Sequence, residues 1–552
     1  MTNCWKELVE KKRNQLYNKI PAGWRLDEET INRIKNDSTN VAANIDKLCP
    51  KEENDITNTT LLELKDKIAN KKVSCYEVAY AFCHRAALIH QVVNCLTEIL
   101  FDEALETAKR YDLDTPDVLP PLYGIPISLK DQCNVENVDT TLGYLNRAFK
   151  PKSKQDESLI VTLLRDAGAI LYVKTTVPPS MMATETVSNL FGYTYNTINT
   201  NFSTGGSSGG EGALIGARGS VLGLGTDIGG SIRIPSSYHG LVGLRPSTGT
   251  VPYLRVDNSW EGREVISSVI GPMSRDIKDL RYFMDLMAND FKPHLEDVKC
   301  SPFYFDAKND RFTNDYVVGI QYGDGVITPT PTDLQALKLC EDTINSIPGF
   351  RAIKWSPPTE LNDEMYSLAW ETDLADAGKE IKSEFDATGE PLCEILEPMV
   401  LDDSRKQYTV NQWWDLSRRI NDAKQRYRDY YNSFETKDRP SVIICPSTLH
   451  PFKPGNMLKA TVRYILFVNL LNFPSLSLPI TSFKSEIHKI KQDTCTALNH
   501  EDEIEMEYWN ELINDDQMEG FPISLQIMSP TFDNNEVCKF GAFLLEKLSS
   551  HK

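Results

Sequence analysis

The sequence predicts a single large α/β domain, on three observations. Helix-like and strand-like periodicities alternate from about residue 60 to the C-terminus. No linker or internal repeat divides the chain. Two glycine/serine clusters, at 203–212 and 223–237, flank an apolar segment in its middle. On length alone, 552 residues would admit several domains. The unbroken alternation of the two periodicities argues instead for one sheet covered by helices.

Taken in order, residues 1–60 are polar and charged, with Trp5, Leu8, Tyr17 and Trp24 as scattered anchors, and read as an N-terminal helical arm on a body spanning 61–552. Leu61, Leu62, Leu64 and Ile68 recur at three- and four-residue steps, and 73–92 continues the helical period. A short apolar run at 96–100 reads as a strand and 103–111 as a helix. Ile125, Ile127 and Leu129 alternate with other residues as in a strand that ends at Lys130. Residues 159–167 and 169–174 make a helix–strand unit broken at Gly168, 211–217 a helix and 221–224 a strand. Further strands are expected at 317–320, 441–446, 475–479 and 522–528. Helices are expected at 332–347, 366–385, 410–431, 464–471 and 535–548. The strongly charged stretch 484–519 reads as a solvated surface insertion.

Composition narrows the function. Hydrophobic residues make up 41% and charged residues 25%, as in ordinary globular proteins. A net charge of −19 disfavours nucleic acid and anionic membrane as partners. The most apolar run, 464–480, carries Asn469, Asn472, Pro474, Ser475, Ser477 and Pro479, which suits a buried core and not a membrane span. The first residues show no apolar segment of signal-peptide type, so the expected compartment is the cytoplasm. Twelve cysteines without a C-x-x-C pair read as free thiols there, and eight scattered histidines offer no zinc pattern, so neither metal nor cofactor is expected. A homodimer is left open.

The glycine/serine clusters carry the chemistry. Glycine allows close backbone approach and positive φ, and successive N–H groups in such turns form an anion-binding concavity. A serine within one could attack a carbonyl whose oxygen those N–H groups receive. Gly/Ser runs are more often linkers, but the second cluster lies between Ser220-Val221-Leu222-Gly223-Leu224-Gly225 and Ile232-Arg233-Ile234, which is strand-like sequence.

Gly205-Gly206-Ser207-Ser208-Gly209-Gly210 and Gly225-Thr226-Asp227-Ile228-Gly229-Gly230-Ser231-Ile232-Arg233 resemble the two central loops of the amidase signature family. Gly124-Ile125-Pro126-Ile127-Ser128-Leu129-Lys130-Asp131 resembles its lysine motif, and Gly520-Phe521-Pro522-Ile523-Ser524-Leu525-Gln526 its C-terminal strand. The likeness spans roughly residues 60–550 and is nearest to fungal acetamidases. It implies a single α/β/α domain with a mixed central sheet flanked by helices, and hydrolysis of a small-molecule amide. It also implies a Ser–Ser–Lys triad, with Ser231 as nucleophile, Ser207 as bridge beside the substrate and Lys130 as final base, and a cis Gly206–Ser207 peptide. The oxyanion would lie on the N–H groups of Ile228, Gly229, Gly230 and Ser231. Ser208 would support the relay, Thr226 and Asp227 would brace the loop, Arg233 would be an ion-pair partner, and Met181 would touch substrate. Lysine accepts a proton only when neutral, which requires its pKa to fall from the ordinary ~10.4, and burial does this. Rival readings are an α/β-hydrolase elbow at Gly205–Gly209, disfavoured by the polar residues before it, a glutamine-dependent amidotransferase subunit, a fatty acid amide hydrolase-like enzyme, and a non-catalytic scaffold.

Overall fold

Lys130 and Thr226-Asp227 stand side by side at the carboxyl ends of two neighbouring parallel strands, and the architecture follows from that pairing. The computed structural model describes residues 4–36, 40–400, 406–492, 496–514 and 517–550. Its strands are β1 Leu96–Ile99, β2 Pro126–Lys130, β3 Ile170–Thr175, β4 Val187–Ser188, β5 Gly192–Tyr193, β6 Leu222–Asp227, β7 Val242–Arg245, β8 Val269–Ser274, β9 Tyr316–Ile320, β10 Phe350–Lys354, β11 Val442–Pro446, β12 Ser475–Ser482 and β13 Pro522–Met528. Among the described residues, eleven strands form one sheet in the order β1-β3-β2-β6-β8-β7-β12-β13-β11-β9-β10, and β4 and β5 make a separate hairpin. The sheet is mixed. β3, β2 and β6 run parallel at one end and β11, β9 and β10 at the other, while the middle pairs are antiparallel. Helices flank the sheet, giving the expected α/β fold with a large mixed sheet.

The strands bordering the site read as near-continuous apolar runs because they are covered on both faces; every residue of β2, β3 and β6 is buried. Helix Cys75–Val93 packs beneath them with thirteen buried residues, Phe82, Ile89 and Val92 among them. Each fully buried apolar side chain of this kind contributes about 1.5–3 kcal/mol. Its start is set by a reciprocal cap between Ser74 and Glu77, and that of helix Leu61–Ala69 by Thr60 and Glu63.

The N-terminal residues form helices Cys4–Asn18, Glu28–Asn36, Val41–Asp46 and Lys51–Thr57, and Val9, Leu16, Ile20, Ile34, Val41 and Ile45 join the same core cluster as the sheet. Trp24 packs on Tyr80, His84 and Phe101, but Tyr17 is exposed and anchors nothing in the core.

The structure departs from the sequence reading in several places. The helix expected over 366–385 is two helices, Thr359–Asp373 and Lys379–Asp386, because Ala377 and Gly378 take φ of 58° and 70°, where a helix cannot continue. Strands β4, β5, β7, β8 and β10 and the helix Ile277–Leu286 went unread. Most important, the stretch 484–519, of which 493–495 and 515–516 lie outside the described residues, is no solvated excursion. Its helix His500–Asn514 buries Met506, Tyr508, Trp509, Leu512 and Ile513. Glu503, Glu507 and Glu511 are exposed, whereas Asp502 and Glu505 are buried like the apolar residues of the helix.

Candidate active site

Lys130 ends β2, flanked by β3 on one side and β6 on the other, and its side chain is completely buried. Its Nζ lies 2.8 Å from Ser207 Oγ, 2.7 Å from Thr226 Oγ1 and 3.5 Å from the Thr226 carbonyl oxygen. These are neutral groups, and among the described residues no carboxylate forms an ion pair with this lysine. Burial therefore lowers its pKa to about 7, with Asp227, Cys133 and Glu211 pulling weakly the other way. Near neutral pH a large share of the amine is uncharged and able to accept a proton. One strand over, Lys174 is equally buried but sits 2.7 Å from Asp131 Oδ1.

Ser207 and Ser208 stand immediately before helix Gly209–Gly216. The Gly206–Ser207 peptide is cis, as the resemblance implies. The loop is pressed so tightly against 183–185 that a Cβ on Gly206 would lie 2.7 Å from the Ala183 carbonyl oxygen. Ser208 ties the two glycine loops together. Its N–H donates to the Ser231 carbonyl at 3.1 Å, its hydroxyl donates to the Thr226 carbonyl at 3.3 Å, and its oxygen accepts the Thr226 N–H at 3.3 Å. Thr226 Oγ1 accepts from Lys130 and donates to Gln132 Oε1, so this residue touches the lysine itself as well as bracing the loop.

The loop from Asp227 to Ser231 runs into helix Arg233–His239. Asp227 accepts from the Gly230 N–H at 2.8 Å, the Ile232 N–H at 3.2 Å, Asn469 Nδ2 at 2.7 Å, and Arg233 Nε and Nη2 at 3.1 and 3.0 Å. Burial pushes its carboxyl up, but the Arg233 charge and these donors outweigh it and hold the group well below the usual carboxylate range. Arg233 is thus the ion-pair partner expected of it. Gly230 has φ 110°, and a Cβ there would lie 2.3 Å from Ile465 Cγ2, so only glycine fits.

One of the four amides expected to face an oxyanion has a partner within the loop itself. The Gly230 N–H is committed to Asp227, because an aspartate side chain readily closes on backbone amides two or three residues on. Of the four amides expected to face an oxyanion, those of Ile228, Gly229 and Ser231 remain unengaged among the described residues.

Ser231 lines a pocket of about 170 Å³ together with Met181, Met182, Ile228, Gly229, Met399, Met457 and Leu466, among others. Met181, on the turn Pro179–Met181 with φ 62°, lines the same pocket as Ser231.

Several participants were invisible in the sequence. Glu211 is fully buried, accepts from Ser128 Oγ at 2.5 Å and Thr175 Oγ1 at 2.9 Å, and is pushed up to about 7 by burial against those hydrogen bonds. Gln132 holds Thr226. The rest of the pocket lining includes Tyr366, Trp370, segment 457–462 and residues of helix His500–Asn514, all more than a hundred positions from the glycine loops. The one group of potential metal ligands among the described residues, Cys49, Glu53 and His84, contributes nothing to the pocket lining. Among the described residues no helix is long and apolar enough to cross a membrane.

Comparison with known proteins agrees with this geometry. The Amidase family model matches residues 77–538. A protein described as a probable amidase from Saccharomyces cerevisiae is 60% identical, over 99% of each chain. An acetamidase of Emericella nidulans is 32% identical, over 96% of this chain and 95% of its own. Among solved structures, a fatty acid amide hydrolase superposes with a TM-score of 0.89 at 29% identity, covering 99% of this chain and 95% of that one.

Proposed function

This chain belongs to the Amidase family and hydrolyses amides, and on that premise we propose that Ser231, Ser207 and Lys130 form a proton relay that cleaves a small aliphatic, acetamide-like carboxamide. Neutral Lys130 takes the Ser207 proton as Ser207 takes that of Ser231. The Ser231 oxygen attacks the amide carbon, and the carbonyl oxygen gains charge against the N–H groups of Ile228, Gly229 and Ser231. The relay then runs backwards, the carbon–nitrogen bond breaks, and ammonia leaves carrying the returned proton. Water attacks the acyl-serine by the same route, giving the carboxylate and the free enzyme. No metal is needed, because the base is an amine made neutral by burial.

The observation that carries this reading is the 2.8 Å contact of a fully buried Lys130 with Ser207, with no carboxylate ion-paired to it among the described residues. The acetamidase among its relatives supports a short acyl group. The acid and ammonia released fit the use of amides as a nitrogen source in the cytoplasm. A second reading has one observation in its favour. The pocket holds four methionines, Met181, Met182, Met399 and Met457, and such a lining suits acyl groups longer than acetyl.

The test is Ser231→Ala in purified enzyme, assayed with a panel from acetamide to fatty amides, with fluorophosphonate labelling of the wild type. We expect turnover to fall by more than about a thousandfold, beyond what loss of an oxyanion donor causes, with the folded state retained. Activity above about one-thousandth of wild type, or labelling at a residue other than Ser231, would overturn the assignment. The panel itself ranks the short and long acyl readings.

A further inference from the structure

Part of the pocket lining is the segment 457–462, which opens on the 3-10 turn Met457–Lys459; Met457, Ala460 and Val462 pack on the core from partly buried positions, and Leu458 is 75% exposed. Those apolar contacts are non-directional and do not by themselves fix where its backbone stands in the pocket lining. What restrains it is the helix His500–Asn514. Four residues on one face of that helix, Glu501, Ile504, Glu505 and Tyr508, follow the three- and four-residue steps that place side chains in a row.

Each polar member of the row grips the loop carrying this segment. Glu505 accepts the Thr461 N–H with one carboxylate oxygen and pairs with His450 Nε2 at 2.9 Å through the other. His450 is buried, its second nitrogen lies 3.2 Å from the Pro451 carbonyl, and Glu505 overcomes the effect of burial to hold the imidazole above its usual pKa. Glu501 accepts from Arg463 Nε at 2.9 Å and Thr461 Oγ1 at 3.3 Å. Tyr508 accepts the Lys453 N–H at 2.8 Å. Arg463 in turn lies 4.0 Å over the ring of Tyr366, another pocket residue. Carboxylates on neutral amides and cations are among the stronger hydrogen bonds available.

We propose that the helix His500–Asn514 is a specificity element, in which Glu501 and Glu505 hold segment 457–462 as the far wall of the pocket and so set how well the enzyme accepts substrates with a large apolar group. These are positioning residues; neither is assigned contact with the reacting atoms. The proposal rests on the reading of Ser231 as nucleophile. On this reading a short acyl group needs only the lining next to Ser231 in sequence, around Ile228 and Gly229, whereas a longer one depends on the segment 457–462 as well.

The experiment uses two alkyl fluorophosphonates, one with a methyl and one with a long linear chain, on wild type, Glu505→Gln and Glu501→Gln. In each, Ser231 Oγ forms a bond to phosphorus, fluoride leaves, and the serine proton passes to the relay. The ratio of the two labelling rates reads the wall and cancels effects on the nucleophile. We expect the long-chain preference to fall about tenfold in Glu505→Gln, the lower end of what loss of a hydrogen bond to a charged group causes, and less in the more exposed Glu501→Gln, which safeguards the test if the buried change impairs folding. KM for long-chain amides should rise more than kcat falls. An unchanged ratio in both variants, even with a lowered thermal midpoint, makes the helix merely structural and overturns the proposal. Failure of both probes to label wild-type Ser231 sinks the relay reading instead.

Discussion

Lys130 and Lys12 are both buried, at 0% and 2% exposure, yet their surroundings drive them in opposite directions. Lys130 meets the hydroxyls of Ser207 and Thr226, so burial dominates and lowers it to about 7. Lys12, on the N-terminal helix, meets Glu98 Oε1 and lies 2.7 Å from Asp139 Oδ2. Burial lowers it too, but the two carboxylates outweigh burial and hold it above its usual value. Burial alone therefore does not make a base. A buried lysine becomes one when its neighbours can hydrogen-bond either protonation state and carry no countercharge. The first arrangement suits a proton relay, the second a clasp fixing the N-terminal helix to β1 and the 139 turn.

The largest expected effect that would break this comparison is on turnover. Lys130→Ala should lower kcat/KM by about a thousandfold or more, as loss of a catalytic base does, whereas Lys12→Met should leave kcat within a few-fold; similar losses in both would erase the distinction. Stability should move the other way. Lys12→Met leaves Glu98 and Asp139 without their cation, which costs about 3–5 kcal/mol, measured by urea unfolding. Lys130→Met should instead gain ~1 kcal/mol at pH 6, the usual return when a functional buried charge is removed.

The pH dependence carries the same contrast. An unfolded lysine titrates near ~10.4. Lys130 titrates at about 7 when folded, so between those values the native chain binds the fewer protons and stability from this site rises with pH. Lys12 is raised when folded, so its contribution is complete below the unfolded value and is lost as pH climbs through the folded one. Activity should accordingly rise through an acidic limb near pH 7, set by Lys130. A limb below pH 5 would assign the base elsewhere. The smallest effect is expected from Glu211→Gln. Its carboxylate is a minor influence favouring the Lys130 ammonium, and its removal should move the limb slightly to lower pH; a move upward would contradict that electrostatic sign.

A second contrast concerns what could be read before folding. The glycine loops were legible because their chemistry is local. Asp227 bonds Gly230 and Ile232 within five residues, and Gly230 excludes every side chain. The segment 484–519 was misread because its charges dominate the composition, while the apolar face of Met506, Trp509, Leu512 and Ile513 gains meaning only against the core it meets. The break at Ala377-Gly378 was missed for a related reason. An isolated glycine in a helical pattern is often tolerated, and the positive φ that ends this helix is visible only in the folded backbone.

The sequence by itself determined the α/β alternation, the two tight loops and the residue types able to form a serine-based relay, since these follow from local periodicity and from side-chain chemistry at short spacing. The tertiary structure alone decided that Lys130 lies within hydrogen-bond reach of Ser207, 77 positions away, that no carboxylate among the described residues pairs with it, and that segment 457–462 and helix His500–Asn514 enclose the pocket. Protonation and shape depend on solvent exclusion and on contacts between distant segments, and neither exists until the sheet has assembled.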